Sequence, residues 1–291
     1  MTTPQDIASA LELFQRTEIT EHHIYKRLAR QIKSPENARI LDQIAEDELR
    51  HYRGWKQYSG REVSPDWVKM WFYYLVSRVL GFTFGVKLME RGEEAAQRNY
   101  AAIAAAIPEA AQFQKEEDEH ENQLIGMLDE ERLRYAGSVV LGLNDALVEL
   151  TGALAGLTLA LQNGKLIALS GLITGIAAAL SMAASEYLST RSEVTTKQPV
   201  RAAIYTGIAY IITVALLVLP YLISPATYIL DLIIALITGV VIIAGFNYYI
   251  SVAKDEPFRA RFAEMAILSL SVAAFSFGIG YLIRLWLGVE I

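Results

Sequence analysis

The distribution of apolar residues divides the chain into two parts with different patterns. In the second part, five apolar runs are each long enough to cross a bilayer, which takes about 20 residues in a helix. These runs cover roughly 139–161, 166–188, 202–223, 228–252 and 263–287. Because lipid offers no partner for backbone polar groups, the runs are predicted to be helices. A buried soluble bundle is the alternative, but runs with so few charges between them would leave it no polar surface.

The first part shows amphipathic helical patterns. Helices are predicted over 5–32, 36–58, 82–106 and about 108–134. Ser34 and Pro35 form a cap and start signal between the first two. The aromatic stretch from Pro65 to Gly81 is too long for a tight turn and is predicted to carry a short crossover helix. The predicted fold class is therefore all-α, with a four-helix bundle in residues 1–135 followed by a five-helix transmembrane domain in 136–291.

Charge follows the same division. The chain has 26 Lys and Arg, 32 Asp and Glu, four His and no Cys, for a net charge of −6. Residues 1–135 hold 18 of the basic residues, 23 of the acidic residues and every histidine. The lack of cysteine excludes disulfides, thiolate metal sites and cysteine nucleophiles. The negative charge argues against nucleic acid as a partner.

Basic residues beside the predicted spans set the expected orientation, because they concentrate on the cytoplasmic side of a membrane. One side carries Arg132, Arg134, Arg191, Lys197, Arg201, Lys254, Arg259 and Arg261, and the other carries Lys165 and Arg284. The N-terminal domain is therefore expected in the cytoplasm and the C-terminus on the opposite side.

Acidic residues inside the spans are candidates for a transport path, because an ionisable group in hydrocarbon is costly without water, a partner or a cation. Asp145 and Glu149 share one face of the first span, and Met182 and Glu186 share one face of the second. Carboxylates beside a thioether suit a first-row divalent ion, or a combined metal and proton path. The alternative for Met182 is a packing role, and the alternative for Glu186 is a position at the membrane interface. For Asp231, the interfacial position is the favoured interpretation.

An internal repeat of metal-ligand types marks the first part. The second and fourth helices each contain Glu-x-x-His, and the first and third each contain a Glu followed by Tyr seven residues later. These residues are Glu48, His51, Glu117, His120, Glu18, Tyr25, Glu93 and Tyr100. One Glu-x-x-His is common on exposed helices, but two copies with matching partners favour the ligand set of ferritin-like di-iron bundles. Inward carboxylates would otherwise repel one another, and two divalent ions balance their charge.

For the other polar and aromatic residues of the first part, the sequence allows more than one interpretation. Glu21 and Glu90, one turn from Glu18 and Glu93, are extra ligands, an entry path or a solvated face. Surface positions are expected for Glu94, Glu116, Asp118, Glu119 and Glu121. The aromatic segment from Trp67 to Tyr74 is core or a dimer interface, or rests on the membrane surface with Lys69 and Arg78 as flanks.

At these residues the sequence resembles known families. Residues 1–135 resemble a rubrerythrin-type ferritin-like domain. Residues 136–291 resemble the vacuolar iron transporter family, on the strength of Val140-Leu-Gly-Leu-Asn-Asp145 and Ser181-Met-Ala-Ala-Ser-Glu-Tyr187. The combination resembles the membrane-bound ferritin, or erythrin–vacuolar iron transporter, fusion.

This resemblance implies a homodimer that moves Fe²⁺, and often Mn²⁺, out of the cytoplasm against protons. It implies an iron pair in the first domain, with manganese or zinc as alternatives, and a transport path through Asp145, Met182 and Glu186. Two departures stand out: the connection between spans 2 and 3 lacks the acidic insert of eukaryotic members, and a chain without cysteine has no rubredoxin module. A membrane-anchored ferroxidase or peroxide scavenger and a manganese exporter are the competing functions.

Overall fold

The computed structural model describes residues 4–32, 34–97, 107, 109–126, 134–224 and 227–287. Their regular structure consists of ten α-helices. The chain divides into two compact units, Met1–Glu130 and Glu131–Ile291, called unit 1 and unit 2 below.

Unit 1 begins with two long helices that run side by side. Its helices are α1 (Pro4–Ala29), α2 (Pro35–Ser59), α3 (Trp67–Leu80), α4 (Phe82–Gln97) and α5 (Ala110–Gly126). Ser34 caps α2 by accepting a hydrogen bond from the backbone N–H of Asn37. Helix α3 occupies the predicted crossover segment. The predicted continuations of the third and fourth helices, over 98–106 and 127–133, lie outside the described residues.

Helices α1 and α2 are antiparallel, and they form two apolar clusters at different positions along their length. Residues early in α1 meet residues late in α2, as the hydrogen bond between Ser59 and Gln15 shows. One apolar cluster contains Ile24 and Ile44, and the other contains Phe14 and Trp55. The stretch of both helices between these clusters carries buried acidic and imidazole side chains.

Unit 2 consists of five helices that are long and apolar enough to cross a membrane. They are α6 (Ala136–Leu161), α7 (Gly164–Ser192), α8 (Pro199–Ile223), α9 (Tyr228–Lys254) and α10 (Phe258–Leu287). Each predicted span lies within one of them, which confirms five candidate spans. Helix α6 contacts each of the other four and is the central helix of the unit.

Two glycines bring the neighbours of α6 unusually close. A Cβ atom on Gly142 would lie 2.3 Å from the carbonyl oxygen of Thr206 on α8. A Cβ atom on Gly280 of α10 would lie 2.3 Å from the carbonyl oxygen of Gly156. Small residues permit this backbone-to-backbone packing between membrane helices.

Candidate metal centre and transport residues

Three helices of unit 1 direct acidic and imidazole side chains into one interior region. Glu48 and His51 are three residues apart on α2 and therefore share a helix face. Glu117 and His120 repeat this arrangement on α5, and Glu18 comes from α1. Glu18, Glu48, His51 and His120 are all buried, whereas Glu117 is partly buried.

Four of these residues surround one point. Nδ1 of His51 lies 3.0 Å from Oε1 of Glu117, 3.5 Å from Oε2 of Glu18 and 3.7 Å from Oε2 of Glu48. One ligand atom from each of the four residues lies within 4.8 Å of the others. Two ligands about 2.1 Å from one ion are about 3.0 Å apart when adjacent and about 4.2 Å apart when opposite. The spacing is therefore close to that of a coordination sphere.

A second point forms beside His120. Its Nδ1 lies 3.2 Å from Oε1 of Glu48 and 3.8 Å from Oε2 of Glu117. Glu48 and Glu117 thus each turn one oxygen towards His51 and the other towards His120. Glu48 and Glu117 could therefore each help to hold a metal ion at both points, with one imidazole available at each.

The hydrogen bonding of these atoms supports a metal pair. Four buried atoms of this cluster have no hydrogen-bond partner among the described residues: Oε2 of Glu48, Nδ1 of His51, Oε1 of Glu117 and Nδ1 of His120. Their short mutual distances are poorly aligned for hydrogen bonds. Leaving such a group unpaired costs about 1–3 kcal/mol. Coordination to a cation would satisfy all four, so the donor set fits two divalent first-row ions.

Without ions, protons supply the compensating charge in this cluster. Burial lowers the pKa of His120, but the carboxylates of Glu117 and Glu48 raise it more, to about 10. Burial raises the pKa of Glu48, yet the contacts with His120 and His51 lower it to about 2. Burial raises the pKa of Glu18 well above its ordinary value. Metal ions would displace these protons when they bind.

In each histidine, the Nε2 atom, on the far side of the ring from the shared carboxylates, contacts an acid that precedes the opposite motif. Nε2 of His51 donates to Oε2 of Glu116 at 2.7 Å, and Nε2 of His120 donates to Oδ2 of Asp47 at 3.3 Å. These outer acids directly precede Glu117 and Glu48 in the sequence. They leave both Nδ1 atoms facing the shared carboxylates, as outer partners of ligating histidines do.

Glu116 is not at the surface as expected. It is partly buried, and Arg50 donates a second hydrogen bond to its carboxylate at 2.7 Å. Burial raises the pKa of Glu116, but the hydrogen bonds from His51, Gln112 and Arg50 lower it to about 2. Both copies of the motif have an acid directly before the Glu, and this repeat could have predicted the role of Glu116 from the sequence.

Aromatic side chains close one end of the cluster. Nε1 of Trp55 donates to Oε1 of Glu18 at 3.0 Å. The ring of Phe113 lies 4.6 Å from the ring of His51. These contacts fix Glu18 and exclude water from its surroundings.

The remaining predicted residues of unit 1 have different outcomes. Glu21 is buried one turn from Glu18, so it does not lie on a solvated face. Asp118 and Glu119 are exposed, as expected. The side chains of Glu90, Glu93, Glu94 and Glu121, and the whole of Tyr100, lie outside the described part of the structure.

In unit 2 the predicted transport residues occupy two separate levels. Glu186 is buried and accepts a hydrogen bond from Oγ of Ser138 at 2.6 Å, near the start of α6. Glu149 accepts a hydrogen bond from the hydroxyl of Tyr210 at 2.8 Å. Ser138 and Glu149 are about 16 Å apart along the α6 axis, given the helical rise per residue. Glu186 and Glu149 therefore belong to different points along the membrane unit.

The other path residues lie beside these points. Asp145 is partly exposed, one turn before Glu149. Met182 is partly buried and packs against the apolar core of unit 2, one turn before Glu186. Within the described residues of unit 2, no three acidic or imidazole ligands converge as they do in unit 1.

Asp231 is more buried than its sequence position indicated. It lies in the first turn of α9 with 1% of its surface exposed. Oδ1 lies 3.4 Å from the hydroxyl of Thr227, and Oδ2 has no hydrogen-bond partner among the described residues. Asp231 therefore lies at a helix end, as its sequence position indicated, and is buried there by packing.

Comparison with known proteins bears on unit 2. Residues 136–198 match the VIT family, and this segment contains Asp145, Glu149, Met182 and Glu186. The match and the apolar helices fit a membrane domain of the vacuolar iron transporter type. No match to the chain was found among curated proteins or solved structures. The protein is thus a multi-pass membrane protein, and the match over 136–198 suggests that it transports a metal ion across the membrane.

Proposed function

We propose that the protein exports Fe²⁺ from the cytoplasm in exchange for protons, and that unit 1 captures the metal before transport. The VIT family match over 136–198 carries this proposal, because that segment holds every predicted path residue. The dinuclear ligand arrangement in unit 1 supports metal capture. The basic residues at one end of the spans support a cytoplasmic unit 1.

In the proposed path, Met182 and Glu186 take the metal from the cytoplasmic mouth with a thioether and a buried carboxylate, because Glu186 contacts Ser138 near the start of α6. Asp145 and Glu149, farther along α6, complete the route. Exchange of protons for metal on these carboxylates would drive release, since each carboxylate binds one or the other. Tyr210 orients Glu149 through its hydroxyl.

A homodimer is part of the proposal. Glu149 is exposed on a spanning helix of the single chain. A carboxylate facing lipid is costly. A second copy against this face of α6 would shield it and place two sets of acids along one path.

The dinuclear site of unit 1 would be held by Glu18, Glu48, His51, Glu117 and His120, with Glu93 as a sixth ligand expected from the sequence alone. A bound iron pair would supply one-electron redox chemistry there. The chain's own part is to hold the ions between bridging carboxylates, to fix both imidazoles and to exclude water with Trp55 and Phe113.

Metal uptake into proteoliposomes tests the transport proposal, with Fe²⁺, Mn²⁺ and Co²⁺ compared with and without a pH gradient. Asp145→Ala should abolish uptake while metal binding by unit 1 persists. Glu193→Gln, an exposed acid within the same family segment, is the matched control and should transport normally. Absence of uptake by the unmodified protein, or full uptake by Asp145→Ala, would overturn the assignment. Preference for Mn²⁺ over Fe²⁺ would identify a manganese exporter.

The bridging geometry of Glu48 and Glu117 favours a second candidate, a membrane-anchored ferroxidase or peroxide scavenger. Fe²⁺-dependent consumption of oxygen or peroxide by the full chain would support it. This activity should survive Asp145→Ala and disappear in Glu48→Gln. The two functions are compatible, because one unit could oxidise metal that the other does not carry.

A further inference from the structure

Helix α3 carries most of the exposed apolar surface of unit 1. Of the nine exposed large apolar side chains described there, seven lie on α3. They are Trp67, Val68, Trp71, Phe72, Leu75, Val79 and Leu80, with Leu13 and Tyr58 as the other two. An exposed apolar patch of this kind marks an interaction site.

These side chains form a continuous stripe. With about 100° of rotation per residue, the positions from Trp67 to Val79 fall within an arc of about 140°. Met70 and Ser77 are buried on the opposite side of α3. The α3 face, defined as Trp67, Val68, Trp71, Phe72, Leu75 and Val79, is therefore a surface that the described residues of unit 1 do not cover.

Unit 1 holds this helix firmly in place. Asp66 caps α3 by accepting hydrogen bonds from the backbone N–H groups of Val68 and Lys69. The backbone N–H of Asp66 in turn donates to Oγ1 of Thr20 on α1 at 2.9 Å. The α3 face is thus presented in a fixed orientation.

The charged side chains within α3 itself are positive. Lys69 and Arg78 are the charged residues of α3, and both are exposed. The guanidinium of Arg27 lies 5.4 Å from the ring of Trp71. Tryptophan beside basic residues on an amphipathic helix suits the headgroup region of an anionic membrane.

The chain also keeps a bilayer within reach of this face. Helix α5 ends at Gly126, and α6, the first span, begins at Ala136. The nine residues between them extend to at most about 30 Å. Unit 1 is therefore tethered near lipid at a high effective concentration. A second copy is a weaker fit, because α3 has no acid to pair with Lys69 and Arg78 of another copy.

We propose that the α3 face inserts shallowly into the anionic headgroup region of the membrane that unit 2 spans. Unit 1 is thereby oriented on the membrane surface as well as tethered to it. This inference rests on the membrane domain and not on the identity of the transported metal.

Nitroxide labelling tests the proposal directly, since the chain contains no cysteine that would react with the label. The full-length variants Leu75→Cys, Phe72→Cys and Leu13→Cys would be reconstituted in vesicles that contain anionic lipid. At positions 75 and 72, we expect dissolved oxygen to relax the nitroxide spin strongly. A water-soluble paramagnetic chelate should relax it little at these positions. The control position 13, on α1, should respond strongly to the chelate.

Two other outcomes would overturn the proposal. Equal chelate relaxation at positions 75 and 13 would show that the face is solvated. Protection from both reagents, with spin–spin broadening that vanishes on dilution with unlabelled protein, would identify a second copy as the occupant. In the expected case, Lys69→Glu with Arg78→Glu should restore chelate relaxation at position 75. Arg53→Glu, an exposed charge reversal on α2, should not.

Discussion

Nε2 of His51 donates a hydrogen bond to Oε2 of Glu116 at 2.7 Å, across 65 residues of sequence. The equivalent contact joins His120 to Asp47. The acid directly before each Glu-x-x-His motif therefore orients the imidazole of the other motif. The two motifs form one interlocked structure.

Removing either orienting acid should weaken metal binding without removing a ligand. Glu116→Gln or Asp47→Asn should lower the affinity of unit 1 by about 10–100-fold, because the imidazole loses its charged partner. A competition titration of the full-length protein against a chelator measures this change. Glu119→Gln, an exposed acid on the same helix, should bind as the unmodified protein does. An unchanged affinity in Glu116→Gln would contradict the orienting role.

Glu48 and Glu117 each face both His51 and His120, which predicts how many metal ions the variants would bind. Glu48→Gln should reduce the bound metal below two ions per unit 1, because each ion loses an oxygen ligand. Oε2 of Glu18 lies 3.5 Å from Nδ1 of His51, so Glu18→Gln should chiefly affect the ion at that position. Elemental analysis of the variants after metal loading provides the counts. Two tightly bound ions in Glu48→Gln would be incompatible with a bridging role.

The hydroxyl of Tyr210 should matter for transport. Tyr210→Phe keeps the ring in the core but removes the hydrogen bond to Glu149. We expect slower metal uptake into proteoliposomes, with the helical content unchanged. Tyr281→Phe, at an exposed position of α10, is the control and should transport normally. Equal rates for the two variants would remove Tyr210 from the path.

A close contact between α6 and α8 at Gly142 predicts a stability difference between two glycine substitutions. Gly142→Ala should destabilise unit 2 by about 1–3 kcal/mol, the usual cost of overpacking, because its Cβ meets the Thr206 backbone at 2.3 Å. Gly245→Ala meets no atom within 4 Å and should be neutral or stabilising. Thermal unfolding in detergent compares the two. Equal midpoints would show that α6 and α8 separate without cost.

The sequence predicted those features that depend on local periodicity. Glu48 and His51 share a helix face whatever the rest of the chain does, so the candidate ligands of α2 could be named in advance. The contact between His51 and Glu116 depends on the register between α2 and α5, which no local pattern sets. In unit 2, length and hydropathy predicted the spans. The burial of Asp231 depends instead on how the first turn of α9 packs against its neighbours.

The interlocked motifs have a mechanical consequence. Ions held jointly by α2 and α5 would fasten together two segments that are distant in sequence, as a disulfide does in an oxidised protein. A chain without cysteine would thereby obtain a crosslink that can be made and undone by the supply of metal. When the site holds metal, α5 would be fixed against α2. When the site is empty, α5 would be the segment most easily cleaved by proteases. The resistance of unit 1 to proteolysis would then report the local metal supply.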